Sequence, residues 1–162
     1  MTTLFMNIGV FILSFMIMEF VAWATHKYIM HGLMWKFHSD HHLKDHSSFF
    51  ERNDVFFLIF AVPGILFIYF GQMNGIADPR IWIGAGITAY GFTYLMVHDI
   101  FIHQRFRIFT RTDNTYLRAL RKAHKIHHKH LGKEHGECFG MLWATKQYLE
   151  EARAAKAKNY SR

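Results

Sequence analysis

Three stretches of this chain are nearly free of polar side chains, and histidine-bearing segments separate them. Met1–Met18 contains no charged residue and is rich in Leu, Ile, Phe and Met. About 20 apolar residues span a bilayer, so roughly residues 3–24 are expected as a transmembrane helix. The segment has neither a basic leader nor a small-residue cleavage site, so a removed signal peptide is not expected. Val55–Ala77 is free of charge, its apolar part ending at Phe70, and it holds Pro63-Gly64. Gly71–Gly75 and Asp78-Pro79 read as a tight connection. Ile81–Val97 is apolar again, with Gly84, Gly86, Ala89 and Gly91 small enough for close helix packing. Residues 55–72 and 81–98 are therefore expected as a transmembrane hairpin.

The remaining pattern is helical and polar. From Tyr116 to His128, residues Leu117, Leu120, His124, His127 and His128 fall on one helical face, while Arg118, Arg121, Lys122, Lys125 and Lys129 point mainly elsewhere. Beyond Gly140 the chain is rich in Ala, Glu and Lys, and a last helix over about 141–158 is expected at the periphery. The fold class that follows is all-α. It is an integral membrane protein with about three transmembrane helices and a histidine-rich helical cap on the cytoplasmic face. Residues 1–162 form a single domain, with the cap built from 26–54 and 99–140 and a peripheral helix in 141–162.

Charge changes the picture next. The formal charge of +7 would point to nucleic acid in a soluble chain, but its distribution points to a membrane and not to nucleic acid. Lys27, Lys36, Lys44 and Arg52 precede the hairpin, fourteen Lys/Arg follow it from Arg105 to Arg162, and the connection holds only Arg80. The positive-inside rule then sets the N-terminus outside and every histidine motif on the cytoplasmic side. The basic flank of the 116–129 segment suits anionic lipid headgroups, and an acidic electron donor is a second use of the same charges. The single cysteine, Cys138, excludes an internal disulfide and a cysteine-built metal cluster.

The candidate chemistry lies in the histidines. Six of them fall within the 21 residues His26–His46. His26-x4-His31 is followed by His38-x2-His41-His42, and the same spacings return in the same order as His98-x4-His103 and His124-x2-His127-His128. On a helix the triplets share one face. An x4 pair diverges around an α-helix, so both members reach one site only if the helix ends, bends or is approached from the side. Gly32, directly after His31, would permit an ending. Asp45 and His46 extend the stripe of the first triplet. Glu19, Asp40, Asp45 and Asp99 are candidates to orient ring N–H groups behind the ligands. Glu19 has a bland reading as an interfacial side chain that snorkels, and Asp54 one as a helix N-cap.

Ten boxed histidines exceed two four-ligand zinc sites, and they divide into five for each of two six-coordinate irons with an open position. A non-redox membrane metal-binding protein is the alternative of a different class. A transporter would place ligands near mid-membrane, whereas these lie at the helix ends.

The four motifs, in this order around a membrane hairpin, resemble the fatty acid hydroxylase/sterol desaturase superfamily of membrane di-iron oxygenases. His26–Gly32, Glu51-Arg-Asn-Asp54, His98-Asp99, His103-Gln-Arg105 and Ala123–His128 narrow the likeness, over nearly the whole chain to about Gly140, to the short bacterial β-carotene 3-hydroxylases. The resemblance implies two iron ions and O2 acting on a lipid-soluble carotenoid. Oxygen would enter at C3 of each β-ring, taking β-carotene through β-cryptoxanthin to zeaxanthin, and some relatives take canthaxanthin-type ketocarotenoids to astaxanthin. Electrons would come from a ferredoxin and its reductase, in a bacterial inner membrane. The implied metal ligands are His26, His31, His38, His41, His42, His98, His103, His124, His127 and His128, with His135 and His46 as further candidates and His130 left at the surface. A fatty acyl or sterol hydroxylase or desaturase of the same superfamily is the rival within this reading.

Overall fold

A computed structural model describes residues 2–43, 48–134 and 137–160 of the chain. Among the described residues all regular structure is helical. The helices are α1 (Thr2–Ala24), α2 (Trp35–Leu43), α3 (Val55–Gln72), α4 (Pro79–Tyr94), α5 (Thr115–His127) and α6 (Lys146–Tyr160). Two π-helices, Thr25–Leu33 and Leu95–Ile102, continue α1 and α4 directly. Two helical runs, Thr2–Leu33 and Arg52–Gln72, are long and apolar enough to cross a membrane. The chain divides into two compact units, Met1–Val21 with Trp35–Thr93 and Ala22–Met34 with Tyr94–Arg162.

In the first unit, α4 packs against α1 and α3 through glycine. A Cβ at Gly84 would stand 2.6 Å from the Gly64 carbonyl oxygen, and one at Gly86 would stand 2.6 Å from that of Phe11. Only the absence of a side chain permits such backbone approach between helices. Gly91, from the same small-residue series, meets nothing within 4 Å. Asn7 is buried in α1 and donates from Nδ2 to the Ala77 carbonyl at 3.1 Å, which ties this helix to the connection before α4. Most of the large apolar side chains of α1 and α3 are exposed, as helices facing lipid require.

In the second unit, α5 and α6 pack through Ala119, Ala123, Tyr148 and Ala152. The last helix starts at Lys146, later than its composition indicates, because Met141 is used in a core with Phe101 and Ile102. Arg121 of α5 straps the preceding loop. It donates to the carbonyls of Phe101 (2.7 Å), Phe109 (3.1 Å) and Thr110 (2.8 Å), and its guanidinium lies 3.8 Å from the Phe101 ring centre.

The π-helices answer the x4 spacing. A π-helix closes i→i+5 hydrogen bonds, so residues five apart are stacked one turn above the other. The His103 N–H donates to the His98 carbonyl at 2.8 Å, and Met34 N–H donates to Ile29 in the same register, also at 2.8 Å. The backbone leaves helical dihedrals at Gly32 (φ −124°, ψ −111°), the residue expected to permit an ending.

Candidate metal centre

The first unit holds the triplet of α2. His38, His41 and His42 are all buried. His38 Nδ1 donates to Asn53 Oδ1 and His41 Nδ1 to Glu51 Oε2, each at 2.7 Å. Both acceptors stand on a 3₁₀ turn, Arg52–Asp54, and its N-cap. Asp40 fixes that turn, because its buried carboxylate accepts from Arg52 N–H at 2.6 Å and from Arg52 Nε at 3.3 Å. Asp54 accepts from the Glu51 N–H at 3.1 Å and completes a capping box with it. It therefore caps the 3₁₀ turn rather than α3, where its side chain makes no cap hydrogen bond. His42 Nε2 faces His38 Nε2 at 3.0 Å. Glu19, elsewhere in this unit, accepts from the Tyr90 hydroxyl at 2.6 Å.

The second unit brings together seven histidines. His26, His31 and His127 are buried and offer ring nitrogens within 4.8 Å of one another. Their Nδ1 atoms donate to three backbone carbonyls, His26 to Phe139 (2.9 Å), His31 to Leu131 (3.0 Å) and His127 to Glu137 (3.0 Å). Carbonyl oxygens only accept, so each ring carries its proton on Nδ1 and turns an Nε2 lone pair inward. Those lone pairs converge, with His127 Nε2 lying 3.1 Å from His26 Nε2 and 3.2 Å from His31 Nε2. The Phe139 ring packs edge-on against all three imidazoles. Cys138, between two of the accepting carbonyls, takes a left-handed backbone (φ 56°).

The other four are His98, His103, His124 and His128. His124 Nε2 stands 2.8 Å from His103 Nε2 and 2.9 Å from His128 Nε2. The His98 ring sits 4.8 Å from that of His124. His98 Nδ1 donates to Asp99 at 2.6 Å, and Arg105 stands 3.6 Å from the same carboxylate. Burial holds His124 well below the ordinary imidazole pKa, and the neighbouring His98, His103, His128 and His127 lower it further. It is therefore neutral at neutral pH, the form in which an imidazole can bind metal. Asp45, His46 and His135 lie outside the described residues, and His130 is exposed.

Lone pairs facing one another at about 3 Å repel unless a proton or a metal cation lies between them, and neutral imidazoles are the form that binds metal. The spacing discriminates among geometries. Two nitrogens each about 2.1 Å from a metal stand about 3.0 Å apart at right angles and about 3.4 Å apart at the tetrahedral angle. The observed separations, 2.8–3.2 Å, fit the right-angle case. The residues thus suit a metal that holds neighbouring imidazoles at right angles, as six-coordinate and square-planar ions do.

Sequence reasoning named Asp99 as an orienting carboxylate but missed Glu51, Asn53 and the carbonyls of Leu131, Glu137 and Phe139. The Glu51-Arg-Asn-Asp54 string was a usable signal for the first two. Backbone carbonyls carry no residue code and offered none.

Residues 11–145 match the family described as Fatty acid hydroxylase. Among curated proteins, the chain is 46% identical over 129 residues to the Beta-carotene hydroxylase of Pantoea ananas, covering 78% of this chain and 71% of that one. It is 40% identical over 140 residues to the Beta-carotene hydroxylase of Pseudescherichia vulneris, covering 86% and 78%. A plant protein, the chloroplastic Beta-carotene 3-hydroxylase 2 of Arabidopsis thaliana, is 37% identical over 135 residues, covering 82% of this chain and 44% of its own. No solved structure matches.

Proposed function

The chain belongs to the fatty acid hydroxylase family, and from that premise we propose that it is a membrane-bound carotenoid hydroxylase acting at C3 of the β-ring. The relatives named above carry β-carotene hydroxylation in their names, and the plant protein's name gives position 3. The observation that carries the reading is the convergence of Nε2 lone pairs whose Nδ1 partners are all acceptors. In this reading the ten boxed histidines hold two iron ions, which when bound supply dioxygen activation. Per ring, one C–H, O2, two electrons and two protons become one C–OH and one water.

The chain's own groups do the rest. Glu51, Asn53 and Asp99 hold the rings of His41, His38 and His98 in the Nδ1–H form. Phe139 shields His26, His31 and His127 from water. Residues 81–98 are a third membrane crossing, so that the histidine-bearing segments share the cytoplasmic side. The site then lies at helix ends, where a β-ring can enter while its polyene stays in lipid. Electrons come from an external ferredoxin-type donor, since the chain has one cysteine and no dinucleotide-binding glycine motif.

The test is pigment analysis of a β-carotene-accumulating bacterial host expressing this chain beside its His41→Ala variant. Zeaxanthin with the native chain and β-carotene alone with the variant is the expected result. Unchanged β-carotene in both, with good membrane expression and a compatible donor, would move the substrate to acyl chains or sterols.

A further inference from the structure

Between the second π-helix and α5 the chain reads Arg105-Phe-Arg-Ile-Phe-Thr-Arg111. Its apolar members do not join the core. Phe106 is 46% exposed, Ile108 65% and Phe109 55%. The loop is nonetheless held in place, because Arg121 binds the carbonyls of Phe109 and Thr110. Beside it opens a groove of about 770 Å³, walled by Arg111, Arg118, Lys122 and Lys125 with Thr110 and Thr112; Asp113 is the acid among its lining residues. Lys122 is engaged by Glu151 at 2.5 Å. Among the described residues no ion pair engages Arg111, Arg118 or Lys125.

Exposed aromatic and aliphatic side chains interleaved with arginine, beside a cationic groove, are what a bilayer interface recognises. The apolar members enter the acyl boundary and the cations meet headgroup phosphates. An acidic protein partner would be matched by the cations alone and leaves Phe106, Ile108 and Phe109 without a role. We propose that the 105–111 loop and the Arg111–Lys125 groove form a binding site for an anionic phospholipid headgroup. Phe106, Ile108 and Phe109 lie in the leaflet and Arg111, Arg118 and Lys125 meet the phosphate. The inference rests on the chain being a membrane protein, with helical runs apolar enough to cross a bilayer, and is independent of the reaction.

The test uses the full chain in nanodiscs containing phosphatidylglycerol and phosphatidylcholine, with bound lipid counted by native mass spectrometry after release. The native chain is expected to retain phosphatidylglycerol preferentially. A juxtamembrane cation contributes about fivefold to such a preference, so Arg111→Gln/Arg118→Gln is expected to lower it about thirtyfold. Arg111→Lys/Arg118→Lys keeps the charge and is expected to keep the preference, which separates the effect from misfolding. A fluorophore at Ile108→Cys in a Cys138→Ser background is expected to shift to the blue when phosphatidylglycerol replaces phosphatidylcholine. Equal retention of the two lipids, or an unchanged preference in the Gln pair, overturns the proposal. So does displacement of the lipid by an equal concentration of inorganic phosphate, which marks a free-anion site. Displacement by an acidic [2Fe–2S] ferredoxin assigns the groove to a protein and overturns it equally.

Discussion

Six imidazoles of the site, those of His26, His31, His38, His41, His98 and His127, are specified twice, by the backbone that carries each and by the oxygen behind it. His41 illustrates this, because Glu51 Oε2 takes its Nδ1 proton at 2.7 Å and both side chains are largely shielded from water. Removing an orienting partner of a metal-bound histidine commonly costs 10–100-fold in metal affinity or activity. Glu51→Ala is therefore expected to lose roughly that factor in zeaxanthin formation and in iron retained per chain, measured on the same purified membranes. His130→Ala, at an exposed position, is expected to leave both unchanged. A Glu51→Ala chain with native iron content would remove this carboxylate from the site. The boxed histidines were legible from spacing because a helix places i, i+3 and i+4 side by side. Their partners were not. Glu51 and Asn53 reach back 10 and 15 residues through a turn. Phe139 accepts from His26 across 113 residues with a group every residue possesses.

At the scale of elements, the sequence pattern placed the helices well and their local winding poorly. An x4 pair read on an α-helix diverges, yet His26 and His31 lie in one π-helix and His98 in the other, with His103 as its C-cap. Nothing in Leu-Met-Val-His-Asp-Ile-Phe-Ile distinguishes an i→i+5 segment from an α-helix, because tertiary contacts rather than local propensity stabilise the wider turn. Glycine shows the opposite case, where the residue type was legible and its use was not. Gly84 and Gly91 look alike in sequence, but a Cβ at Gly84 would strike Gly64 O and Ile68, while one at Gly91 would meet nothing. Gly84→Leu is therefore expected to destabilise the α3–α4 contact by about 1–3 kcal/mol, as overpacking does. Gly91→Ala is expected to stabilise by roughly 0.5–1 kcal/mol, the helix propensity difference. Unfolding midpoints of the two variants in one detergent check both signs, and a shared sign would contradict the packing.

For the whole molecule, the buried histidines are a liability that metal removes. Six imidazoles in one unit bring ring nitrogens within 3.2 Å of one another, and those of His26, His31 and His127 meet as lone pairs, so the metal-free fold is expected to melt below the loaded one. A ligand binding only the folded chain adds about 4 kcal/mol at a thousandfold its dissociation constant. Chelation should lower the melting midpoint, and ferrous iron should restore it together with pigment hydroxylation. The metal-free chain also acquires a pH dependence whose direction follows from His124. Its folded pKa is depressed by burial first and by neighbouring imidazoles second, while the unfolded chain titrates near pH 6.5. Between those two values the unfolded state binds a proton that the folded state refuses, so stability falls as pH falls. The slope for one such group is at most about 1.4 kcal/mol per pH unit, and the loss begins near pH 6.5. Melting of the chelated chain from pH 7.5 to 5.5 checks this, with His124→Asn expected to flatten the profile. The loaded chain is expected to hold its midpoint further into acid, because protons must then displace metal from every ring together. Identical profiles for loaded and chelated protein would mean that the rings do not share a cation.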